Sequence, residues 1–161
     1  QWLLVADNAE QPLPPQIEAF ESHRLIFSAD SARVALVGKY YTNAFWAEIG
    51  YVSPMYKDVL DFAFSADGRH QACVVTEGHP SAFDYEIRWT VIVDRTHKQT
   101  YDRVWDSGHS SVQAGRWMWI PADQRESSGM VPRLLWWTDS RQLRYWVMKG
   151  RDISMVTQVI E

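Results

Sequence analysis

The sequence is most informative first in what it lacks. It has a single cysteine, Cys73, so no intramolecular disulfide can form. No apolar run approaches the roughly 20 residues of a membrane-spanning helix. The formal net charge is −4 over 161 residues, without the basic surplus that phosphate neutralisation by a nucleic-acid binder needs. We therefore expect one globular domain over residues 1–161, with no membrane span and no nucleic-acid partner.

Signatures of catalysis and of metal binding are also scarce. The histidines are scattered singly, without zinc-site spacing, at His23, His70, His79, His97 and His109. Segment 107–111 lacks the second glycine of a hydrolase nucleophile elbow, and no glycine-rich phosphate loop is present. Cys73 lies in an alternating strand pattern, which is typical of a small buried residue. We expect a protein that is not an enzyme and has no metal or cofactor; a triad or carboxylate pair assembled by folding is the less favoured alternative.

Aromatic residues, by contrast, are abundant: nine Trp, seven Tyr and six Phe. Nine tryptophans exceed what one small core needs, so some should lie on a surface that something else covers. Apolar residues at helical spacing are rare, whereas alternating and β-branched runs are common, which predicts an all-β fold. Residues 1–22 are predicted to be an extended, proline-rich lead-in with a short helical turn over 16–22. Residues 23–161 hold the repeats.

Internal repetition is the strongest organisational signal. Residues 26–37, which contain Phe-Ser-Ala-Asp, are echoed by residues 63–74 and more weakly by residues 136–146. In each copy an aromatic residue ends one strand, Asp with Ser or Gly forms a tight turn, and a second strand begins. A second motif, Tyr-x-x-Val-x-Asp, occurs at residues 56–61 and 101–106, each time after a Trp-containing strand. One unit therefore contains several short antiparallel strands.

These units resemble the blades of WD40-like propellers, in the branch with a Phe-Ser-x-Asp turn. Such blades take about 40–45 residues each, and rings close with about 4–8 blades. Three units in 161 residues are too few to close a ring. The predicted fold is therefore all-β, with antiparallel sheets in an open, incomplete β-propeller of about three blades. Such an arrangement leaves sheet edges and faces uncovered.

Two segments are candidates for binding. Residues 106–113 form a polar stretch of small residues where the repeat predicts another turn, between Trp105 and an aromatic run that includes Trp117. The alternative interpretation is an ordinary surface connection. In residues 133–151, arginines interleave with aromatic residues, and strand alternation would place Arg144 and Trp146 on one face with Tyr145 and Val147 on the other. Such a basic, aromatic face can stack sugars or meet an acidic protein surface, unless its aromatics are core and its arginines solvated.

The open blades and the Gly-His-Ser-Ser stretch together resemble the small periplasmic immunity proteins that protect bacteria against type VI secretion amidase effectors. The resemblance implies a periplasmic, non-enzymatic inhibitor whose serine-bearing loop enters the Cys-His active-site cleft of a peptidoglycan amidase. It implies that a serine at 110 or 111 bonds the catalytic histidine of the effector, with aromatic anchors beside the loop. The implied partner-binding residues are Ser107, Gly108, His109, Ser110, Ser111, Trp105 and Trp117.

Two other functions stay open at the level of the sequence. The exposed tryptophans would suit a carbohydrate- or cell-wall-binding module, in which case glycans would bind without any involvement of residues 107–111. A propeller fragment that serves as an assembly subunit would bury its open edges in a homo-oligomer.

Overall fold

The computed structural model describes residues 2–15, 17, 20, 22–80, 85–105 and 134–161. All regular structure in these residues is β-strand, and every strand pair is antiparallel, which confirms the predicted all-β class. The strands are β1 (Leu3–Ala6), β2 (Ala9–Pro12), β3 (Ser22–Phe27), β4 (Val34–Tyr40), β5 (Asn43–Glu48), β6 (Tyr51–Val52), β7 (Asp58–Phe64), β8 (Gln71–Pro80), β9 (Tyr85–Val93), β10 (His97–Tyr101), β11 (Arg103–Trp105), β12 (Trp136–Trp137), β13 (Gln142–Lys149) and β14 (Asp152–Val159).

Three four-stranded sheets follow one another along the chain. Sheet 1 has the order β3-β4-β5-β6, and sheet 2 has the order β7-β8-β9-β10. In sheet 3, β13 pairs with β14 on one edge and with both β11 and β12 on the other. None of these sheets closes into a barrel within the described residues, so the arrangement is open, as predicted.

The N-terminal region differs from the predicted lead-in. Strands β1 and β2 form a hairpin whose Asp7-Asn8 turn has positive φ at both residues, the geometry that favours Asn and Asp there. Leu4 and Leu13 then pack with Leu36 and Phe45 on the outside of sheet 1. The extended proline-rich segment is therefore in part a strand, because Pro12 occupies an edge position. Most of the predicted helical turn over 16–22 lies outside the described residues; Ser22 already belongs to β3.

The sheets stack face to face through two continuous cores. Between sheets 1 and 2, Trp46 packs with Tyr56 and Phe62, its ring 5.6 Å from that of Tyr56. Between sheets 2 and 3, Val74 and Val91 pack with residues of sheet 3 that include Leu143, Tyr145 and Val147. Both faces of sheet 2 are therefore covered, and each sheet buries one face against its neighbour.

The first two repeated turns have the same hydrogen bonds. In sheet 1 the hydroxyl of Ser28 donates to Asp30 at 2.6 Å and accepts from the backbone N–H of Arg33 at 2.9 Å. In sheet 2 Ser65 makes the equivalent bonds to Asp67 and to the N–H of His70, at 2.6 and 3.0 Å. The third copy is one residue shorter: Asp139 accepts directly from the N–H groups of Arg141 and Gln142. The repeat in the sequence is therefore a structural repeat.

The residue that ends each of the first two turns reaches across to the next sheet or turn. Arg33 donates to the carbonyls of Gly68 and Arg69 and to Gln71 of sheet 2, and also to Glu48 of its own sheet, at 2.6 to 3.0 Å. Gly68 has φ +69° and would bring a Cβ to 3.0 Å from Asp30, so glycine is required at this junction.

His70, the equivalent residue in sheet 2, bonds Asp94 at 2.7 Å and stacks on Trp137 of sheet 3. One position of the repeat therefore joins consecutive sheets twice, with a different side chain each time.

Candidate functional site

The first strand of sheet 3 is interrupted. Trp105, the last residue of β11, lies opposite Trp146 of β13, and Trp136 of β12 lies opposite Arg144. Only one position of β13, Tyr145, separates the two pairs, although thirty residues of the chain, 106–135, come between them. The chain therefore leaves the edge of sheet 3 and returns almost to the same point. Residues 106–135 are an insertion within a strand.

The predicted partner-binding loop belongs to this insertion. Of the predicted site, Ser107, Gly108, His109, Ser110, Ser111 and Trp117 lie outside the described residues. The backbone of Trp105 is described and ends β11, so the loop begins two residues after a strand that pairs with β13. The structure thus shows where the chain leaves sheet 3 before the loop, while the loop residues themselves lie outside the described part of the chain.

The side of sheet 3 that faces away from sheet 2 is an apolar surface. Along β13, Leu143, Tyr145 and Val147 are buried towards sheet 2, while Trp146 is 36% exposed on the opposite side. This confirms the predicted alternation of Tyr145 and Val147 with Trp146. The outer face, as we call it, consists of Trp146, Ile153, Met155 and Val159, and the last three are 59%, 46% and 64% exposed.

The register makes the outer face continuous across two strands. Met155 lies directly opposite Trp146, and Ile153 lies opposite Met148, so these side chains share one side of the sheet. Arg144 follows on the same side, two positions from Trp146, opposite Thr157. Its Nε atom is buried and has no hydrogen-bond partner among the described residues. The face therefore has an apolar centre beside a guanidinium group with unused donor capacity.

Cationic residues also lie at the ends of these strands. Arg141 is exposed at the turn that leads into β13, and Lys149 and Arg151 are exposed at the turn between β13 and β14. An apolar centre with a charged rim is the usual composition of a protein–protein interface. The insertion starts at β11, next to this centre.

A buried carboxylate from sheet 2 lies at the point where the chain returns. Oδ2 of Asp61 accepts hydrogen bonds from the backbone N–H groups of Leu134 and Leu135, at 2.8 and 3.0 Å. Its Oδ1 accepts from the N–H of Phe62 at 2.9 Å. Burial raises the pKa of this carboxyl, and the three N–H donors and the charge of Arg24 oppose that rise. Asp61 thus connects sheet 2 with the residues that precede β12.

A second polar cluster lies where sheet 1 meets the turns. The buried Glu48 accepts from Arg33 at 2.6 Å, and its other oxygen lies 3.4 Å from Arg95. Arg95 also packs over the ring of Tyr51. A cavity of about 240 Å³ opens beside these side chains, lined also by residues of the hairpin. Because each charge already has an opposite charge next to it, this cluster is a structural ion network.

The cysteine and the possible metal ligands elsewhere in the described residues show no arrangement for catalysis or metal binding. Cys73 is buried between sheets 1 and 2, and burial raises the pKa of its thiol well above the ordinary value, which fits the predicted small core residue. In the described ranges, no group of three or more His, Cys, Asp or Glu residues is placed to hold a metal ion. A membrane-spanning helix is also absent from these described ranges.

The sequence contained a signal for the insertion, although the repeat motifs alone did not predict its position in the sheet. Five residues separate Val59 from Ser65 in the second unit, whereas thirty-three separate the equivalent Val104 from Thr138 in the third. This excess length marks the insertion. The role of Asp61 had no comparable signal, since its partners are backbone groups more than 70 residues away.

Comparisons with protein-family models, with curated proteins and with solved structures find no match for this chain, so a proposal of function rests on the geometry of sheet 3.

Proposed function

We propose that this protein is a non-enzymatic inhibitor of the immunity-protein type, which blocks the active-site cleft of a peptidoglycan amidase with residues 107–111. The observation that carries the proposal is the insertion in the first strand of sheet 3, beside the exposed outer face. A segment that leaves a rigid sheet and returns to it one position away is held at both ends. Binding segments are commonly displayed on scaffolds in this way.

In this proposal inhibition is steric and needs no chemistry from the inhibitor. Gly108 allows a sharp tip, and Ser110 or Ser111 bonds the catalytic histidine of the amidase. The outer face, around Trp146 and Met155, adds an apolar contact next to the loop. Large aromatic anchors near the centre of an interface supply most of its affinity.

The proposal also sets the compartment and the partner. A peptidoglycan amidase acts in the periplasm, where an inhibitor must meet it, so we place this protein there. The rim residues Arg141, Lys149 and Arg151 favour a partner surface with acidic groups around an apolar centre.

The test begins with the intact chain immobilised and exposed to periplasmic and secreted fractions of the source bacterium. Captured amidases are identified by mass spectrometry, purified, and assayed for hydrolysis of peptidoglycan. We expect inhibition at a 1:1 ratio. The double variant Ser110→Trp, Ser111→Trp should weaken inhibition at least about thirtyfold, which is the loss of one interface hot spot.

A matched control comes from the same sheet. Ser154 is exposed on β14 and lies opposite Val147, on the side away from Trp146, so Ser154→Trp should inhibit like the wild type. If the double variant inhibits as well as the control, occlusion by residues 107–111 is wrong.

A carbohydrate- or cell-wall-binding module is the second candidate, and the exposure of Trp146 beside Arg144 favours it. Indole rings stack on sugar faces, and a guanidinium group can donate to hydroxyls. In this case soluble peptidoglycan fragments should shift the tryptophan fluorescence of the wild type and of the Ser110→Trp, Ser111→Trp variant alike. A Trp146→Ala variant should lose most of that shift.

A further inference from the structure

The side chain of Asp61 faces sheet 3 because of an irregularity in β7. The register of β7 against β8 shifts between Val59 and Asp61, so Leu60 is an extra residue in the strand. Val59 packs towards sheet 1, while Leu60 packs towards sheet 3. Strict alternation would turn Asp61 back to sheet 1. The bulge instead places Asp61 opposite Val74, which belongs to the core shared with sheet 3.

The hydrogen bonds of Asp61 hold the backbone at the point where the chain returns to sheet 3. The carboxyl is almost completely buried, and an unpaired buried carboxyl would strongly destabilise the fold. Its acceptors are used by two consecutive backbone N–H groups, those of Leu134 and Leu135, and by that of Phe62. Leu134 and Leu135 are the last two residues before β12. Asp61 therefore fixes a backbone position in a neighbouring part of the chain.

The strand that follows these two residues has little other support from backbone pairing. Strand β12 has only two residue pairs with β13, whereas β11 has three and β14 has eight. A two-residue strand at an edge frays easily, because few hydrogen bonds offset the entropy of ordering it. The start of the insertion is thus held by strand pairing, and its end depends more on the Asp61 contacts.

We propose that Asp61 is the positioning residue of the partner-binding segment: it fixes where the chain re-enters sheet 3 and so holds the two flanking residues, Trp105 and Trp136, on either side of one position of β13. This inference rests on the proposed function, since it gives the segment its binding role. It assigns that positioning to Asp61, a buried residue of sheet 2.

The first experiment needs no partner. Amide hydrogen exchange in the full chain is followed by NMR for the N–H groups of Leu134 and Leu135, with Val91 in the core of sheet 2 as the internal reference. In Asp61→Ala both amides lose their acceptor, and we expect them to exchange at least roughly tenfold faster relative to Val91. Asp61→Asn keeps one oxygen that can accept both bonds, so it should restore part of the protection.

Asp58→Ala is the matched control, because it removes a carboxylate from the same strand on the other side of the bulge. It should leave the exchange of Leu134 and Leu135 at the wild-type rate. Wild-type exchange of both amides in Asp61→Ala would overturn the inference, whatever an inhibition assay shows. Equal acceleration in Asp58→Ala would overturn it too, because the effect would then be a general loosening of β7.

The second experiment separates this inference from the proposed function. The amidase captured as described above is inhibited with wild type, Asp61→Ala and Asp58→Ala. We expect roughly tenfold weaker inhibition by Asp61→Ala, through faster dissociation, and none of this loss in Asp58→Ala. Undiminished inhibition by Asp61→Ala, together with loss in the Ser110→Trp, Ser111→Trp variant, would overturn the positioning role and leave the proposed function standing. Undiminished inhibition by the serine variant would instead refute the proposed function.

Discussion

Sheets 2 and 3 begin with equivalent strands, and only the strand of sheet 3 carries the insertion to which we assign the proposed binding role. In sheet 2, β7 runs continuously from Asp58 to Phe64 with one extra residue, Leu60. In sheet 3 the corresponding strand is divided into β11 and β12, with thirty residues between them. Both irregularities fall near the middle of the strand, whereas the tight turn and the second strand are preserved. The repeat therefore tolerates extra chain at the position where its pairing is already broken.

The junctions on the two sides of sheet 2 use the same position of the repeat. Both junctions use the residue that ends the repeated turn. Arg33 makes three hydrogen bonds to residues of sheet 2 and one to Glu48 of its own sheet, whereas His70 contacts sheet 3 through the ring of Trp137 and bonds Asp94 of its own sheet. Sheet 1 and sheet 2 are thus fastened by polar contacts at the turns. Sheet 3 depends more on its core and on Asp61.

The largest expected loss of stability follows from breaking the junction of sheets 1 and 2. Arg33→Ala leaves the buried Glu48 without its closest partner, and we expect the free energy of unfolding to fall by about 3 kcal/mol. Urea denaturation measures it. Arg69→Ala, which removes a mostly exposed guanidinium 3.9 Å from Asp67, should change it by less than about 0.5 kcal/mol. Equal effects of the two variants would show that the Arg33 network does not hold the sheets together.

The inner and outer sides of sheet 3 should respond differently to the same chemical change. Val147→Thr places a hydroxyl in the core between sheets 2 and 3, which should cost about 2 kcal/mol. Ile153→Thr acts on the exposed outer face and should cost less than about 0.5 kcal/mol. Thermal unfolding of both variants checks the assignment of the faces. A larger loss in Ile153→Thr would mean that the outer face is covered within the protein itself.

The second and third repeated turns should also contribute unequally to stability. The hydroxyl of Ser65 is buried and bonds both Asp67 and the N–H of His70, so Ser65→Ala should destabilise the protein by about 1.5 kcal/mol. The hydroxyl of Thr138 is exposed and makes only long contacts of 3.3 and 3.5 Å, so Thr138→Ala should cost less than about 0.5 kcal/mol. Chemical denaturation of the pair tests whether the third turn is the weaker copy.

Asp61, which connects sheets 2 and 3, should make the free energy of unfolding depend on pH. Burial raises the pKa of Asp61 above 3.8, its ordinary value, so the carboxyl binds a proton more tightly in the folded chain than in the unfolded one. Its contribution to stability is complete below pH 3.8 and is lost as the pH rises through the higher folded pKa. Relative to Asp61→Asn, the wild type should therefore become less stable over that range.

Urea denaturation at a series of pH values measures the difference between these two proteins. The other carboxyl groups contribute equally to both and cancel. A difference that is independent of pH, or that favours the wild type as the pH rises, would contradict the assignment.

The sequence predicted the fold well where the signal was local. The Phe-Ser-x-Asp turns are defined by hydrogen bonds within six residues, and the alternation around Trp146 is a property of one strand. The hairpin over residues 3–12 was missed because its Asp-Asn turn lies next to a proline-rich stretch that dominated the interpretation. The pairing of β11 and β12 with one strand could not be predicted, since it depends on contacts some forty residues apart along the chain for Trp105.

The most direct measurement is a deletion that makes sheet 3 resemble sheet 2. Removing residues 106–134 joins Trp105 to Leu135 and keeps the register of both flanking pairs on β13, so that β11 and β12 become one strand. We predict a folded protein with cooperative unfolding and the circular dichroism of a β-sheet protein, but no inhibition of the captured amidase. Full inhibition by this deletion variant would contradict the claim that the sheets provide the scaffold and the insertion in sheet 3 provides the binding.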